Sequence, residues 1–146
     1  MRASWAETVE GHADPALRPR VYEGTPEDVH RFCVRATEEL DGVLLAEADV
    51  RRGTVSGWVR LLPLAALPVL GPPKHPREGG KGWFHRFDPA LAQGWLQVRV
   101  EPAGKEGVRV RAHLRLEVPF AGPLAAALLK GYLRWLDVRR GEPVRP

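Results

Sequence analysis

Apolar and polar residues alternate most cleanly over Val108–Val118. Val110, Ala112, Leu114, Leu116 and Val118 fall on one side, and Arg109, Arg111, His113, Arg115 and Glu117 on the other. A period of two sustained this long predicts an antiparallel strand with one buried face and one wet face. Trp95–Glu101 predicts a second such strand, with Leu96, Val98 and Val100 inward, and Pro102–Gly107 reads as the turn between the two. Trp83–Phe87 predicts another, with Trp83, His85 and Phe87 sharing a face. Around Arg51-Arg52 the pattern predicts a hairpin. A two-residue loop would pair Val50 with Gly53, Ala48 with Val55, Ala46 with Gly57 and Leu44 with Val59, each on the apolar face. Ser4–Glu10 is a short strand candidate, and His12–Arg20, with two prolines, reads as a loop.

Two segments carry helical periodicity. Thr25 suits an N-cap, Pro26 the first helical position, and Glu27 and Asp28 the positive end of the helix dipole. Val29, Phe32, Cys33, Ala36 and Leu40 then form one apolar stripe. The last element runs from Leu124 to Val138 after Pro123, about 22 Å of helix. It is apolar nearly all round, so it should be largely buried, or hidden in a partner. Arg139 and Arg140 suit its negative end, and Gly141 and Pro143 stop it. The wet face of Val108–Val118 implies a sheet covered on one side, with the final helix as the only element apolar enough to cover it.

This order of strand, capped helix, antiparallel meander and long terminal helix resembles the helix-grip, or START-like, superfamily, which includes polyketide-cyclase-like and lipid-transfer domains. The resemblance is carried by Thr25-Pro26-Glu27-Asp28, the hairpin around Arg51-Arg52-Gly53, and the Val108–Val118 strand running into Pro123–Val138. The stretch from Asp41-Gly42-Val43 through Arg60 is also similar to an uncharacterised family of GC-rich thermophilic bacteria. The resemblance implies a single α+β domain over residues 1–146: a curved antiparallel sheet of about six strands wrapped around the C-terminal helix. A small hydrophobic ligand would be bound in a cavity between the two. The residues expected to line it are Trp83, His85, Phe87 and Leu114 on the sheet, and Leu128, Gly131, Tyr132 and Trp135 on the helix. One helix stands where such domains place two, and the Pro63–Gly82 segment replaces a short turn. A ferredoxin-like sandwich is the other α+β arrangement.

Composition narrows the class further. A chain of 146 residues with average apolar and charged content folds as one domain without disulfides. Cys33 is the only cysteine, which fits a reducing compartment, and neither the N-terminus nor any apolar run has the length of a leader or a membrane span. A cytoplasmic protein is expected. The chain has no Asn and no Ile, and its loops are rich in proline, which suits a thermophilic source or GC-rich codons. Net charge is only +4, and arginine supplies most of the basic residues.

Candidate chemistry is sparse. His85 between Trp83 and Phe87 would be the acid–base residue of a cyclase- or hydrolase-like enzyme if that face lines a pocket. Arg99, Arg109, Arg111 and Arg115 share the outer sheet face with Trp95 and Gln97, a minimal nucleic-acid or other anionic-partner surface. Glu101 and Glu117 lie on that face too and offer cross-strand pairs, so nucleic acid ranks behind the apolar ligand. Gly131 admits either close helix-on-sheet packing or room for a ligand. Cys33 reads as a packed core thiol, and no spacing of His or Cys suggests a metal or cofactor. The apolar part of Pro63–Gly82 would complete the core, extend the hairpin, lid a pocket or form a homodimer patch.

Overall fold

The structure, a computed structural model, describes residues 4–61, 89–105, 107–118 and 123–141. The predicted Trp83–Phe87 strand, with Trp83, His85 and Phe87, and the Pro63–Gly82 segment lie outside these residues. The described elements, in chain order, are strands β1 (Ser4–Glu7) and β2 (Arg20–Glu23), helix α1 (Pro26–Glu38), strands β3 (Val43–Asp49), β4 (Thr54–Val59), β5 (Gly94–Pro102) and β6 (Gly107–Leu116), and helix α2 (Leu124–Gly141). Single 3-10 turns stand at Pro15–Leu17 and Pro89–Leu91.

The protein is α+β, as its patterning predicts. All six strands are antiparallel, in the order β1-β6-β5-β4-β3, with β2 also on β6. The sheet is open and packs against α2 on one face. The two long alternating segments make its centre: β5 and β6 pair from Gly94↔Leu116 to Pro102↔Val108. Their inward residues Leu96, Val98, Val110, Leu114 and Leu116 are at most 4% exposed. Burying one such side chain contributes about 1.5–3 kcal/mol, which ties the register to the apolar pattern.

Three features differ from the sequence expectation. The N-terminal strand stops at Glu7, and a second short strand at Arg20–Glu23 continues the same edge, pairing Val21 with Arg109 where β1 pairs Glu7 with His113. The chain leaves the edge between them; Thr8 marks the exit, its N–H donating to Ala112 O (3.0 Å) and its hydroxyl accepting from Ala112 N–H (3.1 Å). Four residues, the first and last of them charged, carry too little period to announce a strand; the free edge of β6 is what makes them one.

The hairpin keeps the expected two-residue loop at Arg51-Arg52 and the Ala48↔Val55 pair, but not the two pairs farther from the turn. A bulge between Leu45 and Glu47 shifts the earlier pairs to Leu45↔Gly57 and Val43↔Val59. The extra residue turns Val43 inward, where it is fully buried, while Ala46, Ala48 and Val50 are exposed. Val50–Gly53 forms the turn, with Gly53 N–H on Val50 O (3.3 Å) and Gly53 at φ +66°.

Two helices, not one, cover the sheet. Thr25 caps α1 as expected, its hydroxyl accepting from Asp28 N–H (3.1 Å). Helix α1 lies over β3, β4 and β5, and α2 over β1 and β6. The α1 stripe of Val29, Cys33, Ala36 and Leu40 is at most 1% exposed. A narrow stripe suffices because half the sheet is enough for it to cover. No described helix is long and apolar enough to cross a membrane.

Candidate functional site

The residues expected to line a sheet–helix chamber are placed as follows. Leu114 on β6 and Leu128, Tyr132 and Trp135 on α2 all lie in the core, at most 2% exposed. Their polar atoms are used within it. The Tyr132 hydroxyl is 2.8 Å from Thr37 Oγ1, and Trp135 Nε1 donates to Ala36 O at 2.7 Å, both links from α2 to α1. Burial, with the nearby Cys33 adding to it and the Thr37 bond opposing, raises the Tyr132 hydroxyl far above the ordinary phenol range. Gly131 is turned elsewhere, toward the Pro15–Leu17 turn. With Ala16 and Ala127 it lines a hollow of about 390 Å³ rimmed by Lys130, Arg134 and Asp137. Two rim cations are already paired, Arg20 with Asp137 (2.9 Å) and Lys130 with Asp14 (2.6 Å). Among the described residues Arg134 has no ion pair.

The other sheet face is the polar one, and register organises it. Residues opposite one another in successive pairs fall in rows across the strands. Trp58 on β4 faces Trp95 on β5, Trp95 faces Arg115 on β6, and Arg115 faces Trp5 on β1. The next row is Glu47, Ser56, Gln97, His113 and Glu7, and the third is Asp49, Thr54, Arg99 and Arg111. Three aromatics and a guanidinium thus share one line, with an amide and an imidazole beside it and two guanidiniums beyond. Trp58 and Trp95 meet edge to face (4.6 Å between centroids, 69°), and Trp5 meets His113 the same way (5.8 Å, 82°). Trp5 is 61% exposed and Trp58 36%. The wet face foreseen for Val108–Val118 is therefore wet but not purely charged.

Shallow hollows run along this face. One of about 270 Å³ lies between Trp58, Trp95, Arg115 and the Pro89 turn. A second, of about 530 Å³, shares Trp95 with it and reaches Thr54, Ser56, Gln97 and Arg99. A third, of about 320 Å³, shares Gln97 and Arg99 and ends at Glu7 and His113. Together they trace one continuous shallow path over β4, β5 and β6.

The expected carboxylate pairs form. Arg111 Nε is 2.9 Å from Glu101 Oε1, and Arg109 Nη1 is 4.0 Å from the same oxygen. Arg115 Nε is 3.3 Å from Glu117 Oε1. Arg109 Nε lies 2.8 Å from Glu10 Oε1 without the alignment of a hydrogen bond. These pairs are solvent-accessible, and such pairs contribute about 0–1 kcal/mol each, so another anion can replace the carboxylate at little cost. Among the described residues Arg99 has no ion pair, although Arg111 stands directly opposite it. Thr54 stands in the same row, and its Oγ1 is buried with no hydrogen-bond partner among the described residues.

Cys33 is buried and free, as expected of a core thiol, and desolvation pushes its pKa up to about 12. Among the described residues no group of three or more His, Cys, Asp or Glu is placed to hold a metal. Trp58 and Trp5 were missed as members of the aromatic row. Their sequence signal was an exposed-face position in a strand, but which strands are neighbours was not readable. No family model matches the chain, and no curated protein matches it.

Proposed function

We propose that the uncovered sheet face is a binding surface for an anionic partner, with nucleic acid as the class it suits best. This reverses the ranking suggested by the sequence, where the apolar ligand came first. The observation that carries it is the Arg99–Arg111 pair. Like charges directly opposite on antiparallel strands destabilise the sheet; Glu101 offsets Arg111, but Arg99 has no ion pair among the described residues. A phosphate between the two guanidiniums would accept hydrogen bonds from both, the bidentate contact arginine makes well. The aromatic row supplies stacking surface that an acidic polypeptide would leave unused.

Affinity for nucleic acid is expected to fall steeply with salt, because each neutralised phosphate releases condensed counterions. Reversing both charges, Arg99→Glu with Arg111→Glu, removes up to two such contacts. The slope of log K against log salt should become shallower by about 0.7–0.9 per lost contact. Wild-type binding that ignores salt, or a double variant that binds as well as wild type, would reject the proposal.

A second reading is favoured by the hollow beside Gly131: binding of a small, largely apolar molecule. The helix-grip resemblance would put such a ligand between sheet and helix, but Leu114, Leu128, Tyr132 and Trp135 are packed there. The Gly131 hollow has an alanine and glycine floor, and its volume of about 390 Å³ lies within the ordinary ligand range of roughly 300–1,000 Å³. Mass spectrometry of a denaturing extract of the purified protein should then reveal a stoichiometric small molecule that is lost in Gly131→Leu. An extract free of such material counts against this reading.

A further inference from the structure

Resting on that anionic-surface reading, we infer that the sheet face takes a single nucleic-acid strand rather than a duplex, with bases on the Trp58–Trp95 row and phosphates at Arg99 and Arg111. Two independent features of the face lead there.

The first is where the charges sit. The guanidiniums of Arg99, Arg111 and Arg115 belong to the central strands β5 and β6. Carboxylates occupy both flanks: Glu47 and Asp49 on the outer strand β3, and Glu7 on β1 with Glu10 just beyond. Five strand positions at about 4.8 Å make the sheet about 19 Å across from outer strand to outer strand. A duplex carries two charged backbones on either side of grooves about 12 and 6 Å wide. Setting one backbone over Arg99 and Arg111 brings the other over a carboxylate edge. A single strand following β5 and β6 meets the arginines of the centre, where the carboxylates Glu101 and Glu117 are held in exposed pairs that an anion can displace.

The second feature is the aromatic row. Bases inside a duplex are stacked on one another and have no free faces for a protein surface, whereas single-stranded bases stack on exposed indoles. Trp58 and Trp5 are exposed enough to offer such faces, and a hollow of about 270 Å³ lies between Trp58, Trp95 and Arg115. Trp95 and Arg99 are four residues apart on one strand, about 13 Å. That separation exceeds a single base-to-phosphate step, so the path holds a short run of nucleotides. Gln97 and His113, in the row between, can bond base edges.

The test is fluorescence anisotropy with a labelled short oligothymidylate and with a duplex of equal length, at matched salt. The single strand should bind more tightly and quench the intrinsic tryptophan fluorescence. Trp58→Ala should weaken oligothymidylate binding roughly 5- to 150-fold, the span measured for losing one stacked base. It should leave the salt slope unchanged, and Trp58→Phe should restore most of the affinity. Circular dichroism confirms that each variant is folded. Should the Trp58→Ala protein fail to fold, the quenching titration of the wild type decides alone. Equal or tighter duplex binding, or no quenching, overturns the single-strand inference while leaving the anionic surface intact. Absence of salt-dependent binding to nucleic acid and to polyglutamate alike overturns both, and binding confined to polyglutamate overturns the single-strand inference and the choice of nucleic acid while leaving an anionic surface.

Discussion

At position 53 the backbone turns with φ +66°, and a Cβ placed there would collide with the Val100 carbonyl oxygen. Only glycine suits both conditions, because the left-handed region costs other residues about 1–3 kcal/mol before any clash. Gly53 also joins the hairpin to the sheet centre, its carbonyl accepting from Val100 N–H at 2.6 Å. Gly53→Ala is therefore expected to lower unfolding free energy in urea by at least about 1–3 kcal/mol; an unchanged midpoint would contradict the geometry. Cys33 offers a pH signature. Its folded pKa of about 12 stands above the ordinary 9.0, because burial disfavours the thiolate. A raised pKa gives stability that is fully present below the unfolded value and is lost as pH climbs toward the folded one. The contribution of Cys33 thus persists below about pH 9 and declines toward pH 12. In labelling at near-neutral pH the folded protein should resist a thiol reagent, and the urea-unfolded chain should take up one equivalent. Rapid labelling of the folded protein would show that the thiol is not buried.

Between elements, the two helices are joined by polar contacts inside an apolar layer. Thr37 and Tyr132 share one hydrogen bond, and Trp135 donates to the carbonyl of Ala36. Removing one partner leaves the other buried and unsatisfied, at about 1–3 kcal/mol, whereas removing both is far milder. Thr37→Val and Tyr132→Phe should each destabilise, and the double variant should cost less than their sum in a denaturation cycle. Strict additivity would mean the two hydroxyls do not depend on each other. At this scale much was legible from the residues. The Thr25 cap, the α1 stripe, the two central strands and the terminal helix all follow from periodicity and end chemistry. The short β2 strand and the bulge before Glu47 did not, because an edge pairing and a one-residue shift are decided by what lies alongside, not by local pattern.

For the whole molecule, the proposed binding face is a surface that no single element displays. The carboxylate of Glu101 sits against both Arg109 and Arg111 and competes with any anion for them. Neutralising it in Glu101→Gln should tighten nucleic-acid binding, by up to about fivefold if the exposed pair contributes up to about 1 kcal/mol. Weaker binding by this variant would mean Glu101 positions the guanidiniums rather than competing for them. The sequence did identify the arginine face, since Arg109, Arg111 and Arg115 alternate visibly along one strand.

What the sequence determined by itself was what local periodicity sets: which residues of the two central strands point inward, where helices begin, that the chain mixes helices with an antiparallel sheet, and that Cys33 is interior. Tertiary structure alone decided that α1 shares the cover with α2, that Tyr132 and Trp135 spend their polar atoms on α1, and that Trp58, Trp95, Arg115 and Trp5 fall in one row. Inward and outward are properties of a few neighbouring residues, fixed by burial free energy. Rows across a sheet depend on strand order and register, which are set between segments distant in sequence.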